Sequence, residues 1–170
     1  MVLVLCLVAT VGEVVGHDYK GQDDRFYYDE VSRLLNGAML EEQGYYEASA
    51  VRQGELTRVV MLEFDAGVGD RIVAGTLKPG GALADKHIVT SQAGQYRRPR
   101  LTVDGGGTLW LSYEALKDGG WGVFVRKAKE DFAFEGAESR VSGVGLSAIN
   151  HDVAALPGGG LAVVWQGERG

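Results

Sequence analysis

Arg97, Arg98 and Arg100 form a local positive spot in an otherwise acidic chain. A guanidinium grips a carboxylate or phosphate through a planar two-point fork and also donates to sugar hydroxyls, which lysine does less well. A second group, Asn150, His151 and Asp152, sets an amide, an imidazole and a carboxylate side by side. Trp121, flanked by Gly120 and Gly122, offers a flat face on which a sugar ring could stack. These seven residues are the candidate ligand contacts, for an anion or a glycan. The competing reading is structural, with the arginines answering Glu47 and Asp152 in ion pairs between neighbouring parts of the fold. His151 beside Asp152 has the residue types of a base and its partner. Adjacent strand residues face opposite sides, however, which argues against a dyad.

Other chemistries are excluded. There is no Gly-x-Ser-x-Gly elbow, no Gly-x-x-x-x-Gly-Lys loop, no His-Glu-x-x-His and no EF-type calcium loop. His17, His87 and His151 are far apart in the chain, so neither a metal nor another cofactor is expected. Cys6 is the single cysteine, which rules out an internal disulfide. A net charge of −6 gives no general attraction to nucleic acid. The apolar opening Val2–Ala9 is too short for a membrane span. It reads either as a signal-peptide core, which would place the protein outside the cytoplasm, or as a strand or disordered arm.

The elements that must hold these residues are mostly strands. Of 170 residues 26 are glycine, about twice the usual share, so turns are frequent. Asp24–Leu35 alone carries three- and four-residue apolar steps, predicting a short N-terminal helix that ends at Asn36-Gly37. From residue 38 onward the period is two. Short β-branched and aromatic runs such as Val59–Phe64, Leu109–Tyr113, Val123–Val125 and Leu161–Trp165 alternate with glycine-rich turns.

These runs repeat. Val89 and Val141, Leu101 and Val153, Leu109 and Leu161, and Tyr113 and Trp165 stand 52 residues apart without a gap. Tyr46 stands 50 before Tyr96, and Val59 stands 50 before Leu109. With two further strands per unit, each repeat has four, the count of a propeller blade. An all-β, incomplete β-propeller of four-stranded antiparallel blades is therefore predicted, with a β-sandwich as the alternative. The expected division is 1–37 for the apolar segment and helix, 38–90 and 91–142 for two blades, and 143–170 for half of a third. A blade with two apolar faces needs a neighbour on each side. The chain is thus expected to be completed by further blades of a longer polypeptide or by self-association. Loops leading into the inner strands would gather Glu47, the three arginines, Asn150, His151 and Asp152 on one face, and the loop before the third strand would bring Trp121 there.

Pro99–Glu114, Trp121–Lys127, Arg140–Ser142 and the half-unit His151–Gln166 resemble the blades of sialidase-like (neuraminidase-type, BNR-repeat) propellers. Tyr96-Arg97-Arg98-Pro99 is similar to that family's Tyr-Arg-Ile-Pro motif, and the resemblance would give Arg97 the role of holding a sugar carboxylate. The family's Asp box is absent from the turn Ala128–Phe134. A near match at Thr102–Trp110 sits in the first hairpin and reads as a turn built on Asp104. Two functions follow as expectations. One is a non-catalytic extracytoplasmic module that binds glycan or protein, or serves as a scaffold; the other is part of a sialidase-type glycoside hydrolase whose further catalytic residues lie beyond Gly170.

Overall fold

A computed structural model describes residues 2–4, 45–65, 69–78, 82–90, 92–129, 133–134 and 136–169. The helix expected over Asp24–Leu35 lies outside them, as does Cys6. β1 (Val2–Val4) is followed by two four-stranded antiparallel sheets. The first blade is β2 (Tyr45–Gln53), β3 (Leu56–Asp65), β4 (Gly69–Leu77) and β5 (Leu83–Ile88), hydrogen-bonded in chain order. The second is β6 (Tyr96–Val103), β7 (Leu109–Lys117), β8 (Gly120–Lys127) and β9 (Ser139–Arg140), in the same order. β10 (Leu146–Ala155) and β11 (Leu161–Arg169) open a third sheet as an antiparallel pair. β1 pairs in parallel with β11, Val2 opposite Leu161. The third strands of the two full blades instead run antiparallel to their second strands.

Alternation explains the packing. On β7 and β8, Leu111, Tyr113, Ala115 and Phe124 join Val60, Leu62, Ile72 and Ala74 of the first blade in one apolar cluster. The opposite side of the same sheet gives Val123 and Val125, with Trp110, to a second cluster containing Ala148, Leu161, Val163 and Trp165 of the third. A sheet apolar on both faces is stable only as a wall between two neighbours, which is how a propeller stacks. Ring geometry adds to area: Tyr113 stacks on Phe124 at 5.8 Å, and Tyr96 meets Tyr113 edge-on at 6.0 Å.

The repeat is sharper in the backbone than in the side chains. Each inner strand carries one bulge at the same place, between Tyr46 and Ser49, Arg97 and Arg100, and Ile149 and Asp152. One residue of each bulge has left-handed backbone: Glu47 at φ 47°, Arg98 at 50° and Asn150 at 54°. Met61, Tyr113 and Trp165 stand opposite the three bulges, and all are buried. The true offset between the first two blades is therefore 51 on the inner strand and 52 on the second, where residue matching suggests 50. Matching fails there because the first hairpin turns over only Gly54-Glu55, whereas its counterpart spans residues 104–108.

Candidate functional site

β6 lies between β2 and β10, so the three bulges are neighbours along the inner strands. A bulge adds a residue and breaks the in–out alternation. Arg97 and Arg98 are consequently both exposed, Pro99 is buried and Arg100 is half-buried. Strict alternation would have put Arg98 and Arg100 on one side and Arg97 on the other with Pro99 and Leu101. That expectation is corrected by the left-handed turn at Arg98.

The Glu47 carboxylate accepts a hydrogen bond from the Arg98 backbone N–H. A bond between blades was anticipated here, but it uses the arginine's main chain and leaves the guanidinium out. Arg97 lays its guanidinium over the Trp121 ring at 4.3 Å, a cation–π contact with the arginine exposed and the indole half-buried. Arg100 donates to the neighbouring Pro99 carbonyl at 3.2 Å. Asn150 donates to Gln166 at 2.9 Å, within its own sheet. Asp152, exposed, accepts from the Val153 N–H at 2.9 Å. The structure thus joins Glu47 to Arg98 and Arg97 to Trp121, while Arg100, Asn150 and Asp152 make their bonds close to home.

His151 departs from the expected role. It is only 2% exposed and points between blades, away from any ligand-facing surface. Glu114 accepts from both its backbone N–H and its Nδ1, each at 2.9 Å. Nε2 lies 3.0 Å from the Ser112 hydroxyl. An ionised carboxylate only accepts, so Nδ1 carries the proton; Nε2 accepts the serine O–H in the neutral ring and donates to the serine oxygen in the imidazolium. Burial pushes the Glu114 carboxyl up, but the hydrogen bonds and charge of His151, helped by Arg98, hold it below its ordinary value. Ser112, His151 and Glu114 have the connectivity of a nucleophile–base–acid triad. All three are at most 2% exposed, so a substrate has no approach and the arrangement fastens the third bulge to the second blade. Sequence reasoning missed Ser112 and Glu114; the available signal was two polar residues, two apart, on one face of an otherwise apolar β7.

Asp104 does more than turn a hairpin. Its carboxylate accepts from Gly106 and Thr108 N–H and from the Trp110 indole, each at 2.9 Å. It also accepts from Gly160 N–H of the next blade at 2.8 Å. The Gly160 bond above all, then the Trp110 bond, lowers its pKa to about 2. Beside it, Gly105 packs so closely that a Cβ would stand 2.2 Å from the Pro157 carbonyl oxygen. Among the described residues no group of three histidine, cysteine, aspartate or glutamate side chains could hold a metal ion, and no helix is long and apolar enough to cross a membrane.

No family model matches the chain, and no curated protein matches it in sequence. Among solved structures, the endo-arabinase of Bacteroides thetaiotaomicron is similar over 75% of this chain, with a TM-score of 0.55 and 16% identity. A thermostable family-43 glycoside hydrolase overlaps 69% of the chain at a TM-score of 0.45 and 13% identity. Neither is a sialidase. The chain spans about half the length of the endo-arabinase chain, 52%, and 39% of the other. At such identity the likeness is one of architecture, and it agrees with the strand pairing: the chain is an all-β protein built of four-stranded antiparallel propeller blades.

Proposed function

We propose that this chain is a glycan-binding propeller module, its contact surface formed by Arg97 on Trp121 and by the polar side chains raised at the bulges, Arg98, Glu47 and Asn150. The observation that carries the reading is the bulge series. Left-handed backbone costs a residue other than glycine, asparagine least, and the recurrence of three such residues at equivalent points of adjacent inner strands supports a role for the surface they form. Guanidinium, amide and carboxylate groups on exposed strands suit sugar hydroxyls, and the arginine-backed indole suits a ring face. Most glycoside hydrolases use two carboxyl groups about 5–9.5 Å apart, sialidases putting a tyrosine in place of the nucleophilic one. The three bulge positions carry one carboxylate, one guanidinium and one amide, which favours binding over cleavage.

The test is migration through gels containing arabinan or other polysaccharides, together with an assay for released reducing ends. Retardation by at least one polysaccharide, lost in Arg97→Ala and Trp121→Ala and without release of sugar, is the expected outcome. No retardation by any polysaccharide would overturn the reading. The enzymatic alternative, favoured by the fold likeness to an endo-arabinase and by Tyr96-Arg97-Arg98-Pro99, predicts release of sugar that Arg97→Ala abolishes. A sialidase-type activity is the narrower form of that alternative.

A further inference from the structure

A cavity of about 250 Å³ opens between the first two blades, on the side of β7 opposite the His151 network. Thr90, Gln92, Tyr96, Lys117, Arg126 and Glu138 line it together with Gly136 and Ala137, so its wall is more polar than apolar. Pockets for drug-sized ligands run about 300–1,000 Å³ and are mostly apolar. This one is smaller and of the wrong chemistry for a hydrophobic guest.

Its charges do not cancel. Lys117 pairs with Glu138, which also accepts from the Tyr113 hydroxyl. Burial works to raise the Glu138 carboxyl, but the bonds from Lys117 and Tyr113 outweigh it and hold the group below its ordinary value, so it is ionised. Arg126 donates to three neutral carbonyls, those of Val89 at 2.7 Å, Phe134 at 3.2 Å and Gly136 at 3.0 Å. Its Nε is buried without a hydrogen-bond partner. Among the described residues two cations therefore face one carboxylate, an excess of positive charge at a partly dehydrated wall. The Tyr96 hydroxyl donates to the Gln92 carbonyl at 3.0 Å and the Thr90 hydroxyl accepts from the Ile72 N–H at 3.0 Å, so what the two oxygens offer a ligand's hydroxyls is their remaining acceptor capacity.

We propose that this cavity binds a compact hydroxycarboxylate: the carboxylate answers the excess charge at Lys117 and Arg126, and the hydroxyls bond Tyr96, Thr90 and Gln92. The proposal does not depend on the glycan surface, which lies on other residues. D-gluconate and sorbitol share a six-carbon skeleton and differ in the carboxylate, so calorimetric titration of the full chain with each isolates the charge. Gluconate is expected to bind below about 10 mM and sorbitol at least tenfold more weakly, about 1.4 kcal/mol. Lys117→Met should weaken gluconate at least tenfold, and Ala137→Trp, which fills the cavity without changing its charge, should abolish binding. Arg97→Ala should leave it unchanged. Should Ala137→Trp not fold by circular dichroism, Gln92→Trp serves in its place. Equal binding of sorbitol, equal or tighter binding of inorganic phosphate, full binding by the filled variant, loss in Arg97→Ala or no binding of gluconate would each overturn the proposal.

Discussion

Two buried carboxylates show how a single side chain can hold blades together. Asp104 satisfies four donors from two blades. Asp104→Ala leaves those N–H groups without their ionic acceptor and should cost about 2–3 kcal/mol in urea unfolding at neutral pH. The folded-state pKa of about 2 lies below the ordinary 3.8. The unfolded chain therefore takes up the proton first as pH falls. The Asp104 contribution is complete above about pH 4 and drains away toward pH 2, so wild type and variant should converge in stability across that interval. Glu114 obeys the same sign, with a carboxyl held below its ordinary value. Glu114→Ala strands the His151 backbone N–H and Nδ1 in the interior, and a loss of about 3 kcal/mol is expected by the same measurement. Asp104 could be read from the sequence as a turn residue, since Asp followed by glycines is a local signal. Its bond to Gly160, 56 residues on, could not.

At the scale of the element, the bulge is the unit that matters. Arg98→Gly removes the cost of left-handed backbone and should leave stability unchanged or raise it by up to about 1 kcal/mol, by thermal denaturation. Under the proposed glycan-binding role it should still reduce retardation by polysaccharide. A variant more stable yet weaker in binding would identify strain kept for function; unchanged binding would leave the bulge purely architectural. Gly105→Ala tests the opposite case, a glycine required by close approach, because its Cβ would meet the Pro157 carbonyl and part the two hairpins. About 1–3 kcal/mol of destabilisation is expected, with the loss read out as faster exchange of amides in β10 and β11. The strands themselves were legible from runs such as Leu109–Tyr113. The bulges were not, since Glu47, Arg98 and Asn150 share no residue type and the common feature is a backbone angle.

For the molecule as a whole, the second blade is the keystone, because its two faces feed both of the clusters between blades. Amide exchange should be slowest in β7, where Leu109, Leu111, Ser112, Tyr113, Glu114 and Ala115 are all at most 1% exposed. The outer strands β5 and β9 should exchange much faster, β5 because much of it is exposed and β9 because it has only two residues. Protection spread evenly over the blades would contradict this hierarchy. Stacking of this kind needs complementary volumes and little residue identity, which is why the architecture is shared with an endo-arabinase at 16% identity.

Periodicity, glycine punctuation and the recurrence of apolar runs are local properties, written along the chain at spacings of two and of roughly fifty residues. They determined the all-β class and four strands to a blade. Tertiary structure alone decided that His151 turns inward to Glu114 while Arg97 turns outward onto Trp121, and that Arg126 and Lys117 share a cavity with Glu138. The physical reason is that a bulge reverses every side chain beyond it for the insertion of one residue, and that a contact between blades depends on which faces meet. Neither quantity has a signature within a single strand.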